Sequence, residues 1–160
     1  ISARGEAPKD ISNTPKWLDI DYEFDNLTIH WTTTPPNVPG ATDKGIGAYF
    51  EGTKGTLLCD YGTKEITLNG EKLSDLESIP KTIVRSPGHQ QNFIDSIKSR
   101  TQPESNLEYA REMTLPMHLG LISYRLGRSL KWDSQDEKFI NDKEANRLLK
   151  RKPRKKWDLL

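Results

Sequence analysis

Apolar and polar positions alternate through residues 17–33. Leu18, Ile20, Tyr22 and Phe24 fall on one side of an extended chain, and Asp19, Asp21 and Glu23 fall on the other. That is the period of two expected of a half-buried strand. Asp25-Asn26 tolerates positive φ and predicts a tight hairpin turn, after which Leu27, Ile29 and Trp31 carry the returning strand. The alternation then stops. Residues 33–44 hold Pro35, Pro36, Pro39 and Gly40 without any period, a loop long enough to suggest a function. A strand resumes over 46–51, Gly52-Thr53-Lys54-Gly55 turns it, and 56–60 runs back. Tyr61-Gly62-Thr63 turns the chain again, 64–68 follows, and Asn69-Gly70, a strong two-residue hairpin signal, leads into Glu71-Lys72-Leu73. The first half is therefore expected to be an antiparallel meander.

The second half changes period. Ser86-Pro87 predicts an N-cap followed by Pro at the first helical position, and Phe93, Ile94 and Ile97 give the 3,4 spacing of a buried helical stripe. Ser105-Asn106-Leu107-Glu108 has the form of a capping box. It opens a stripe through Ala110, Met113, Met117, Leu121 and Tyr124, which Pro116 should kink or split and Gly127 should end. Residues 129–133 predict a last strand, and Asp142 a cap for a short helix using Ala145, Leu148 and Leu149. Strands first and helices afterwards imply an α+β fold, with an open, mainly antiparallel β-sheet and helices packed on one face.

A chain of 160 residues is one domain's worth, enough to bury a core without disulfides or metal. Cys59 is the single cysteine, so no intrachain disulfide can form. The start, Ile1-Ser2-Ala3-Arg4-Gly5, has neither Met nor an apolar leader, and is expected to be a cut inside a longer protein. Residues 1–16 are taken as an extended lead-in, 17–149 as the α+β domain and 150–160 as a basic tail. The net charge of +1 conceals an asymmetry. The tail holds Lys150, Arg151, Lys152, Arg154, Lys155 and Lys156 against one acid, Asp158, which leaves the body acidic. An acidic body without a recognition motif argues against a nucleic-acid partner, and the tail is expected to be solvated or paired with acids of the body or a sister subunit. No run approaches about 18 apolar residues, so no membrane-spanning partner role is expected.

The motifs of several chemistries are missing. A dinucleotide fingerprint needs glycines between a strand and a helix; Gly45-Ile46-Gly47 starts one, but Phe50 takes the third glycine's place and a strand follows. Gly47 and Gly52 have phosphate-loop spacing, but Thr53-Lys54 stand in the wrong order. His30, His89 and His118 are scattered, without zinc-ligand spacing. Two places remain as candidates for substrate binding. Trp31 ends a strand beside the proline loop, where aromatics line pockets; core packing is the other reading. His89, followed by Gln90, lies in the first turn of its helix, where the macrodipole favours a neutral imidazole; a surface or interface histidine is the other reading.

The stretch 85–100, Arg-Ser-Pro-Gly-His-Gln-Gln-Asn-Phe-Ile-Asp-Ser-Ile-Lys-Ser-Arg, resembles the characteristic helix of C-terminal domains in the Gfo/Idh/MocA oxidoreductase family, closest to the branch abundant in planctomycetes and bacteroidetes. The resemblance continues through 120–128, 130–133 and 141–146 into Pro153-Arg154-Lys155-Lys156-Trp157, and Gly52-Thr53-Lys54-Gly55-Thr56-Leu57 is similar to the family's sheet hairpin. It implies a two-domain parent in which an N-terminal Rossmann domain binds NAD or NADP and carries a Glu-Lys-Pro motif. The second domain shapes the site of a sugar-like or inositol-like substrate and forms a homo-oligomer through its sheet face. Some relatives are NAD-dependent glycosidases. The fingerprint, Glu-Lys-Pro and the family's Asp-x-x-x-His segment are all absent here, so no catalytic residue, no cofactor and no metal is expected in this fragment. It is expected to be a substrate-binding and oligomerisation domain, not catalytic alone, whose partner is its own Rossmann domain. A free-standing carbohydrate-binding or scaffold domain of the same fold is the alternative.

Overall fold

The computed structural model describes residues 1–9, 11–12 and 14–151; the motif at 153–157 and most of the basic tail lie outside them. In chain order the elements are strands β1 (Ser2–Gly5), β2 (Leu18–Glu23), β3 (Thr28–Thr32), β4 (Ala48–Gly52), β5 (Gly55–Cys59), β6 (Lys64–Leu68) and β7 (Glu71–Lys72), helices α1 (His89–Ser99) and α2 (Leu107–Leu126), strands β8 (Trp132–Asp133) and β9 (Lys138–Phe139), and helix α3 (Lys143–Leu148). The fold is α+β with open antiparallel sheets. It divides into two compact units, Ile1–Thr34 with Ser105–Leu160, and Pro35–Glu104.

The first unit is built on the sheet β1-β2-β3. The alternation along β2 works as expected: Leu18, Ile20 and Tyr22 are buried, and Asp19 and Asp21 face the other way. Helix α2 covers the apolar face, where Leu121 and Tyr124 pack on that trio. Gly120 permits the close approach, since a Cβ there would come within 2.4 Å of Ile20 Cδ1. The Tyr22 hydroxyl donates to the Pro116 carbonyl at 2.6 Å, and burial pushes its pKa up to about 12. A second cluster joins Leu119 and Ile122 of α2 to Leu130, Phe139 and Ala145, with Trp132 edge-on to Phe139 at 5.1 Å. Asp142 caps α3 by accepting from the Ala145 amide, as its sequence position implies.

The second unit is the sheet β4-β5-β6-β7 followed by α1. Asn69 and Gly70 join β6 to β7 with φ of 52° and 86°, the left-handed pair that a tight hairpin of this kind needs. Ala41 and Leu58 are its buried hydrophobics among the described residues, and the glycine at 40 lies so close to Leu58 that a Cβ would meet Leu58 Cδ2 at 2.8 Å.

Several expectations change. The strands do not form one continuous meander: β3 and β4 are not paired, and the described residues form three separate sheets. Residues 2–5 are a strand paired with β2, rather than a lead-in. Asp25 and Asn26 turn the first hairpin without positive φ. Helix α1 begins two residues later than Ser86-Pro87 implies, at His89, with Gly88 (φ 105°) as its cap; Ser86 Oγ accepts instead from the Gly88 amide. Asn106, not Ser105, caps α2 by accepting from the Tyr109 amide. Pro116 does not split α2, which runs through it to a left-handed Gly127. The last strand is only two residues, paired with β9. Phe93, Ile94 and Ile97 are about half exposed, and Ser96 is the buried residue of α1.

Candidate functional site

In the first unit, the face of the β1-β2-β3 sheet opposite α2 carries a polar network. The register sets Asp19 across from Arg4 and Thr32, and Asp21 across from Ser2 and His30. Thr32 Oγ1 donates to Asp19 Oδ1 at 2.6 Å, and His30 Nδ1 lies 2.6 Å from Asp21 Oδ1. Arg4 reaches both carboxylates, with Nε 3.3 Å from Asp19 and Nη1 3.5 Å from Asp21. Arg4 thus balances one of two carboxylates that share a face. The carboxylate at His30 Nδ1 orients the ring and leaves Nε2 for another partner. A two-residue turn at 25–26 already implies that Asp21 faces His30, so this pairing could be read from the alternation and the turn together.

Trp31 lies on the α2-facing side of β3, opposite Ile20, and remains 42% exposed at the sheet edge. His89 and Gln90 are the first two residues of α1 and are exposed. Trp31 belongs to the first unit, and His89 and Gln90 to the second.

The proline-rich loop does line a groove, of about 440 Å³, in the second unit. Gly40, Asp43, Lys44 and Gly45 face Asp60 and Tyr61 across it. Lys44 Nζ donates to Asp60 Oδ2 at 2.5 Å and to Thr63 Oγ1 at 2.6 Å. Asp60 Oδ1 also accepts from the Gly62 and Thr63 amides at 2.8 and 2.6 Å, closing the turn between β5 and β6. The Lys44 ammonium, aided by those amides, holds the Asp60 carboxyl well below the usual carboxylate range. The loop was legible in the sequence. Its ion pair was not, because 16 residues separate Lys44 from Asp60.

The same unit presents an apolar sheet face. Pairing sets Phe50 beside Leu57 and Leu57 beside Ile66, with Leu68 further along β6. Phe50 is 57% exposed, Leu68 44%, and Leu57 and Ile66 are half-buried. Tyr49 lies on the opposite face, beside Leu58. Among the described residues, no group of three or more His, Cys, Asp or Glu side chains is placed to hold a metal ion, and no helix is long and apolar enough to cross a membrane.

A family model described as the oxidoreductase family, C-terminal alpha/beta domain, of the Gfo/Idh/MocA group, matches residues 15–159. No curated protein matches the chain, and no solved structure does. The match spans both units and the ordered motifs between residues 52 and 157, and with the α+β fold it places the chain in the Gfo/Idh/MocA oxidoreductase family as a C-terminal alpha/beta domain.

Proposed function

We propose that this domain shapes the substrate site of an NAD(P)-dependent oxidoreductase acting on sugar-like or inositol-like molecules, and assembles the enzyme into a homo-oligomer. The observation that carries the assembly role is the apolar face of Phe50, Leu57, Ile66 and Leu68, on a sheet whose other face carries the buried Leu58, closely approached by Gly40. Exposed apolar side chains gathered on one regular surface suit a partner better than water. His30 and Thr32 are tied to Asp21 and Asp19 in the first unit, and Tyr49 faces away from the apolar patch. Cofactor binding belongs to a Rossmann domain outside this chain: Gly45 and Gly47 lead into β4 and not into a helix. Trp31 is the candidate substrate contact in the first unit, and His89 with Gln90 are the candidates in the second.

Sedimentation equilibrium at tens of micromolar tests the assembly role. The chain should sediment as a dimer or larger, through an interface of roughly 1,200–2,000 Å². Phe50→Glu, at an exposed position, should give a folded monomer of 18.3 kDa. A wild-type monomer at every concentration would refute assembly by this domain alone. Titration with NADH or NADPH should show no saturable binding, and micromolar stoichiometric binding would overturn the assignment of the cofactor to another domain.

A further inference from the structure

The groove beside the 40–46 loop has a chemistry of its own, separate from the apolar face on which the assembly role rests. Its ion pair is internally satisfied. An ammonium has three protons to give, and Lys44 commits two of them to Asp60 and Thr63. Asp60 in turn receives Lys44 and two backbone amides. The pair therefore adds little net charge to the groove. Asp43, which also lines it, is exposed, and its carboxylate is in no ion pair or hydrogen bond with a described residue. One negative charge is left over. The rest of the lining is Gly40, the exposed Ile46, Tyr61, which is 94% exposed so that its ring is almost free of packing, and Gly45, where even a Cβ would meet nothing within 4 Å. A volume of about 440 Å³ falls in the range of about 300–1,000 Å³ usual for small-molecule sites.

An unbalanced carboxylate repels anions. An exposed aromatic ring attracts cations through its quadrupole and offers an apolar surface to the methyl or methylene groups around them. We propose that this groove binds a small organic ammonium ion, with Asp43 as its counter-charge and the Tyr61 ring as its platform. Lys44 and Asp60 are positioning residues that hold the two walls in register.

The test is an amide-shift titration of the 160-residue chain with choline, repeated with 3,3-dimethyl-1-butanol, its uncharged carbon isostere, and with myo-inositol. Choline should give saturable millimolar shifts at Lys44, Gly45, Asp60 and Tyr61, and the two neutral compounds should not. Tyr61→Ala and Asp43→Asn each remove an exposed side chain, so the fold should persist. Each should weaken binding about threefold or more, whereas Tyr61→Phe should keep it. Absence of saturable choline shifts, equal shifts with either neutral compound, or binding indifferent to both Tyr61→Ala and Asp43→Asn would overturn the proposal. Loss of self-association in Phe50→Glu should leave these shifts unchanged, which separates this site from the assembly surface.

Discussion

The two units obey the same alternation rules with different results. In the first, the apolar stripe of β2 meets the C-terminal part of α2, and both enter cores around Ile20 and Phe139, while Met113 and Met117 earlier in α2 stay exposed. In the second, the stripes of β4 to β6 and of α1 are equally regular, yet Phe50, Leu68, Phe93, Ile94 and Ile97 remain largely exposed. Periodicity states that a face is apolar; it does not state whether the same chain supplies the cover. The contrast marks the first unit as the one with the larger buried core; under the assembly role proposed above, a partner completes the second.

If that contrast is right, core truncation should separate the units most sharply. Phe139→Ala, at a residue 1% exposed, should cost about 3–5 kcal/mol in chemical denaturation. Phe50→Ala should cost the isolated monomer far less, because most of that ring is already in water. Equal losses would erase the distinction. Next in size, Gly120→Ala should cost about 1–3 kcal/mol, since the added methyl would overlap Ile20 and the Tyr22 hydroxyl. Unchanged stability there would mean that α2 can move away from β2 at little cost. In the second unit, Gly70→Val should cost about 1–2 kcal/mol by forcing a β-branched residue into positive φ, with nothing nearby to clash. A wild-type melting curve would show that this hairpin is not part of the cooperative fold.

The smallest effect is a pH dependence confined to the first unit. Tyr22 has its folded pKa raised to about 12 by burial, so the folded state keeps its proton after the unfolded state has begun to lose it. The associated stability is fully present below the ordinary tyrosine range, near pH 10. It is lost as pH rises through about 12. Tyr22→Phe should therefore flatten the alkaline fall in stability between those values, while lowering stability at neutral pH by leaving the Pro116 carbonyl without its donor. An identical alkaline slope in both proteins would show that the Tyr22 hydroxyl is not the group responsible.

Local signals carried much of this structure. The β2 alternation, the Asn69-Gly70 turn, the Gly127 stop and the Asp142 cap were all visible, because each depends on residues a few positions apart. The misses arose where a distant partner decides. Strand β1 has no strong pattern and exists because Ala3 pairs with Ile20 and donates from its amide to the Ser123 hydroxyl. Pro116 reads locally as a break, but α2 runs through it and is anchored beyond it by the buried Leu119, Gly120, Ile122 and Ser123. The Ser86 and Ser105 caps were displaced by two residues and one, the usual latitude at helix ends. The Lys44–Asp60 pair and the bare face of Phe50 and Leu57 needed three-dimensional register to be seen.

Native-state hydrogen exchange, followed as the protein is diluted, tests the division between scaffold and completed surface most directly. Amides of β2 should be the most protected and insensitive to protein concentration, because their cover comes from α2 of the same chain. Amides of β5 and β6 should lose protection on dilution as copies of the Phe50 and Leu57 face separate. Protection in β5 and β6 that matches β2 and stays constant on dilution would contradict the account, since the second unit would then stand without a partner.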